Sequence, residues 1–100
     1  MLDESPLKIA IEAALHQVDA VHQAYQKYFL GVDRKPPIVK RQQLDRAIML
    51  LRKEAPKLAS PTALFQVNSV IAKYATFANR WDKVMKQIED GTYPGFKKRD

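Results

Sequence analysis

The chain has 100 residues, of which 46% are hydrophobic, and a formal net charge of +6. That length makes one domain around a single core, and that apolar share excludes wholesale disorder. No apolar run approaches the roughly 18 residues that a membrane span requires.

The opening Met1-Leu2-Asp3-Glu4-Ser5-Pro6 is acidic and lacks the basic and apolar blocks of a secretory signal. Cysteine is absent, which excludes disulfides, thiol chemistry and cysteine-built zinc sites. A cytoplasmic location is the expectation. The charge is lopsided: residues 1–33 carry two basic and five acidic side chains, residues 34–100 fifteen basic and six acidic ones. Such asymmetry bears on partners and association rates rather than on fold.

Ser5-Pro6 supplies an N-cap hydroxyl followed by proline at the first helical position. The first helix is predicted over 6–30, with Gly31 as the left-handed residue beyond its end. Ile11, Leu15, Val18, His22, Tyr25 and Phe29 return at steps of four and three, making one apolar face that Ala14 and Val21 widen. Gly31 to Pro37 is a loop stiffened by Pro36-Pro37.

A second helix is predicted over 37–55, stopped by Pro56, with Ile38, Leu44, Ala47, Ile48, Leu51 and Ala55 as its apolar face. Ser60-Pro61 repeats the cap signal and opens a third helix over 61–90, with Gly91 as its stop. Its stripe is Val67, Val70, Ile71, Tyr74, Phe77, Ala78, Trp81, Val84, Met85 and Ile88, and residues 91–100 form a tail. No window alternates with a period of two, so strands are not expected.

Short connectors favour antiparallel neighbours, so the predicted fold is all-α, an up-down-up three-helix bundle with long, coiled-coil-like helices in a single domain spanning 1–100. The helices would span roughly 37, 28 and 44 Å. The second is too short to cover both others. Leu7 and Ile11 at one end, and Val84, Met85 and Ile88 at the other, would then overhang. The tail aromatics Tyr93 and Phe96, a second copy, or a partner protein would have to cover them.

No catalytic constellation is visible, and an enzyme is not expected. Serines occur only at positions 5, 60 and 69, and no glycine-rich phosphate loop is present. Glu12, His16 and Asp19 share an exposed helix face but read as solvated polar residues rather than metal ligands. Neither a metal nor a cofactor is expected. His22, inside the apolar stripe, reads as a packed histidine bonded to a neighbouring polar group.

Four cations, Arg34, Lys35, Lys40 and Arg41, cluster at the start of the second helix, whose N–H groups also attract anions. Phosphate, nucleic acid or an acidic protein surface would dock there, unless Arg41 pairs with Asp45 one turn on. Lys97-Lys98-Arg99 extend the basic character. Tyr25, Phe29, Tyr74 and Trp81 lie on core stripes rather than among the cations, which speaks against a base-stacking platform. Asn68, Ser69, Thr76, Asn79 and Gln87 give the third helix a polar side that is either plain surface or a second contact face.

Several strings occur together: Tyr25-x-x-Tyr28-Phe29-Leu30-Gly31, Pro36-Pro37-x-x-x-Arg41-x-x-Leu44, Phe65-x-x-Asn68, Tyr74-x-x-Phe77-x-x-x-Trp81 and Gln87-Ile88-Glu89-Asp90-Gly91-Thr92-Tyr93. The combination resembles a small helical domain of unassigned function seen mainly in delta-proteobacteria, including at the C-terminal end of larger multidomain signalling-type proteins. The resemblance covers about residues 24–94. It implies a bacterial cytoplasmic accessory module and transfers no catalytic or binding residue.

The expectation is therefore a non-catalytic protein-interaction module, an adaptor or regulatory subunit. Arg34, Lys35, Lys40 and Arg41 would make electrostatic contacts, and Trp81, Met85 and Ile88 apolar ones. Self-association is a variant of this reading. The alternative is a nucleic-acid-associated protein that contacts phosphates with its second helix and basic tail.

Overall fold

The computed structural model describes the backbone of residues 4–95 and the side chains of residues 6–95. Three helices, α1 (Glu4–Phe29), α2 (Ile38–Glu54) and α3 (Pro61–Asp90), lie up-down-up, and a 3-10 turn (Ala55–Lys57) carries Pro56 between the last two. Every helix touches both others, and the whole is a rod of 52 × 18 × 15 Å. No strand occurs among the described residues.

The boundaries follow local chemistry. Gly31 has φ 82° and Gly91 φ 77°, conformations that a side chain with a Cβ strains. At the end of α1 the Val32 amide reaches back to the Lys27 carbonyl (2.8 Å) and the Gly31 amide to Tyr28 (3.1 Å). The same pair, Thr92 to Gln87 (2.8 Å) and Gly91 to Ile88 (3.1 Å), closes α3. Both are Schellman closures, which satisfy carbonyls that would otherwise end the helix unpaired. The Ser60 hydroxyl accepts from the Ala63 amide at 3.3 Å with Pro61 at the first helical position. Ser5 differs from expectation: α1 begins at Glu4, so Ser5 is a helical residue rather than its N-cap.

The core is the expected set of stripes. Ile11, Ala14, Val18, Val21 and Tyr25 from α1 meet Leu44, Ile48 and Leu51 from α2 and Val67, Val70, Ala78 and Trp81 from α3. Each buried Val, Leu or Ile among them contributes about 1.5–3 kcal/mol. That exceeds any single cap, so packing rather than local propensity holds the rod together. Ile38 is a correction, because it points outward with 58% of its surface exposed. At about 100° per residue it lies about 140° around the helix from Leu51, about 120° from Leu44 and about 80° from Ile48, away from the buried line.

The overhang is closed from within the described chain, so α3's last turns are not the open apolar surface expected of them. Trp81 has no exposed surface and Ile88 only 8%. Met85 is half-buried against the core. The start of α2 draws level with Trp81, as the contact from Arg41 to that ring shows. Beyond it the Tyr93 ring lies 6.1 Å from Phe29. Leu7 and Ile11, at the other end, pack into the same core. Phe96 and the Lys97-Lys98-Arg99 tail lie outside the described residues.

Replacing Ser60 with Ala removes the side-chain N-cap of α3. Stability should fall by about 1 kcal/mol, read as a lower urea midpoint at unchanged slope; an unchanged midpoint would show that the cap contributes nothing.

Candidate interaction surface

Two groups of side chains face opposite ways. The inward group centres on Trp81. Its indole Nε1 donates to His22 Nδ1 at 3.0 Å, the Tyr25 ring stacks on it at 4.9 Å, and the Arg41 guanidinium lies 5.4 Å from the ring centroid. All three helices therefore meet at one side chain.

Arg41 is the second hub. It donates to Asp82 Oδ1 (2.9 Å) and Oδ2 (3.3 Å), to Asp45 Oδ1 (3.1 Å) and to the Tyr25 hydroxyl (3.3 Å). The Tyr74 hydroxyl closes the cluster by donating to Asp45 at 2.6 Å. Burial opposes the Arg41 charge, but the bonds to Asp82, Tyr25, Asp45 and Tyr74 outweigh it and push its pKa further above the arginine norm. Burial, with the bond to Asp45, likewise raises Tyr74. The bidentate grip of Arg41 on Asp82 ties α2 to α3 by two parallel charged bonds.

His22 is the packed histidine expected from the stripe. Its ring stacks on Phe77 at 4.3 Å. Because Nδ1 accepts from Trp81, the neutral ring carries its proton on Nε2. Protonation at Nδ1 would break the Trp81 bond. Burial, then the Arg80 and Lys73 charges, hold its pKa below the ordinary value near 6.5, against an opposing pull from Asp19.

The outward group lies on α2 and the loop before it. Arg34, Lys35 and Lys40 are exposed there, and so are Leu30 (77%), Val32 (66%) and Val39 (65%). A shallow groove of about 670 Å³ runs among Ala24, Arg34, Pro37, Val39 and Lys40. Further along, the outer side of α2 exposes Met49 and Leu50 beside Arg46 and Lys53. From residue 33 to 58 the chain carries eight basic and three acidic side chains, and two of those acids, Asp45 and Glu54, are already in ion pairs.

The expected contact residues thus divide. Arg34, Lys35 and Lys40 are on the surface, whereas Arg41, with 16% of its side chain exposed, is engaged by Asp82 and Asp45 and is not free to meet a partner. Trp81 and Ile88 are core, because the indole needs His22 and the aromatic wall to satisfy it. Met49, Leu50, Arg46 and Lys53 were not singled out from sequence, although their spacing was there to find.

Elsewhere the surface is less informative. Asp19 pairs with Lys73 at 3.1 Å, and no group of three or more potential metal ligands converges among the described residues. On α3, Ser69 and Thr76 donate to the carbonyls of Phe65 (2.8 Å) and Ala72 (3.1 Å), turning their hydroxyls back onto their own helix. A second open groove, about 570 Å³, lies between α1 and α3 near Phe65. No helix among the described residues is long and apolar enough to cross a membrane. Comparison with protein-family models, curated proteins and solved structures finds no match to this chain.

The His22 geometry sets a pH dependence. An unfolded histidine takes its proton near pH 6.5, while folded His22 resists it, so the unfolded state binds more protons below that pH. Stability is full above about pH 6.5, falls as the pH drops through it, and levels once the lowered folded value is passed. Urea melts between about pH 7.5 and 5.5 should show this fall in the wild type and a flatter profile in His22→Gln; identical slopes would contradict the assignment.

Proposed function

We propose that this chain is a non-catalytic helical module that binds another protein, an adaptor or regulatory subunit, through the outer side of α2 and the loop leading into it. The observation that supports the reading is the company the cations keep. Arg46 and Lys53 share their side of α2 with Val39, Met49 and Leu50, each of the three apolar residues more than half exposed. Exposed apolar side chains scattered singly are ordinary, but a set on one side of one helix, interspersed with charge of one sign, marks an interface. Complementary charge would speed encounter and select an acidic surface, while the apolar residues would supply the adhesion.

A phosphate-binding role fits less well. The stacking residues it would use are committed to the core: Trp81 and Tyr25 are buried, and Phe77 lies against His22. The cations on α2 are also separated by side chains that phosphate does not solvate. A cytoplasmic setting completes the proposal, in keeping with a sequence that contains no cysteine.

A photo-reactive residue at Met49 tests the reading in cells that express the chain, with exposed Ala13 on α1 as the control position. A discrete protein adduct should form at Met49, be absent at Ala13, and be lost on Arg46→Glu. An adduct that disappears with nuclease, or equal labelling from both positions, would overturn it. Binding to mixed-sequence duplex DNA should be undetectable at about 0.15 M salt and steeply salt-dependent if seen at lower salt.

A further inference from the structure

The partner's shape can be read from the way α2 distributes its outer residues. With Arg46 as the midline, Val39 and Lys53 lie within about 20° of it, Gln42 and Leu50 within about 40°, and Gln43 and Met49 within about 60°. All seven are exposed. The buried stripe of Leu44, Ile48 and Leu51 runs on the far side. Steps of three and four along 39, 42/43, 46, 49/50 and 53 make this strip a second helical seam, two heptads long, on a helix whose first seam is already used.

The chemistry along the seam narrows the occupant. It contains no acid, and neither Arg46 nor Lys53 pairs with one among the described residues. A second copy laid on the same strip by two-fold symmetry would set basic residues against basic residues. An amphipathic helix entering a bilayer carries its cations on the flanks, where they snorkel to water. Here Arg46 and Lys53 stand on the midline, where a bilayer would cover them most deeply. An acidic helix meets both demands, with carboxylates opposite the midline cations and apolar side chains against Val39, Met49 and Leu50.

Resting on the interaction reading above, we propose that the partner element is an acidic amphipathic α-helix, docked lengthwise along α2 as a fourth helix of the bundle, with Arg46 and Lys53 as its charge-selecting residues. The bidentate Arg41–Asp82 link holds α2 in place from the inner side, so the seam is a rigid surface rather than one assembled on binding.

Fluorescence anisotropy of the intact chain against labelled helical peptides of about 18 residues (about 27 Å long) tests this. The peptides share leucines on the two flanking rows of one face and carry Glu, Gln or Lys along the midline between them. The Glu peptide should bind and gain helicity on binding, with the Gln peptide weaker by about tenfold. Arg46→Glu, at an exposed site that leaves the circular dichroism spectrum unchanged, should lose the Glu peptide and gain the Lys peptide. Failure of the Glu peptide to bind, equal binding of Glu and Lys peptides, or preferential capture by phosphatidylserine vesicles would overturn the proposal. If any of these occurs while the Met49 adduct still forms, the acidic helix falls and the interaction module stands.

Discussion

The indole of Trp81 is the point at which the three helices become one object. It has no surface in contact with water, and a buried indole N–H without an acceptor would cost about 1–3 kcal/mol. His22, fifty-nine residues away, supplies that acceptor. Arg41 supplies the third wall, its positive charge over the ring face and its donors turned to Asp82, Asp45 and Tyr25. Removing Arg41 would leave Trp81 exposed and Asp82 without its partner; removing His22 would leave a buried donor unpaired. A small rod with little interior per residue concentrates its specificity here, because apolar stripes alone permit neighbouring helices to slide by a turn.

That inward commitment defines what remains outside. Once Arg41 is spent on Asp82 and Asp45, the basic character of α2 resides in Lys40, Arg46, Arg52 and Lys53, all exposed. Once Tyr25, Phe77 and Trp81 are packed inward, six of the eight large exposed apolar side chains among the described residues, Leu30, Val32, Ile38, Val39, Met49 and Leu50, come from the loop and α2, the other two being Ile9 and Phe65. Fold and surface are thus two consequences of one division. The middle helix is held by one face and offers the other.

Much of this was written locally. Ser60-Pro61, Gly31 and Gly91 mark helix ends because hydroxyl caps and left-handed glycines act within a few residues. The α1 and α3 stripes are legible because each helix has one dominant apolar face; the packed reading of His22 follows from its place on the first, and the Arg41–Asp45 pair from one-turn spacing on α2. Ser5 offered the same signal as Ser60 without becoming a cap. The Arg41–Asp82 bond spans forty-one residues and leaves no trace in local spacing. Without it, Arg41 looks like one more surface cation and Trp81 like a side chain that needs cover. The outer seam of α2 was hidden for a different reason: two apolar faces on one short helix blur each other's periodicity, and the inner one satisfied the search.

The most direct test of the Trp81 junction is hydrogen exchange at its indole N–H, followed by nitrogen-15 NMR. The chain contains one tryptophan, so one indole signal is observed and its assignment is unambiguous. The junction predicts a proton that exchanges only through global unfolding, as slowly as the most protected backbone amides of Val18 and Leu44. An indole proton that exchanges at the rate of a freely exposed tryptophan would contradict it.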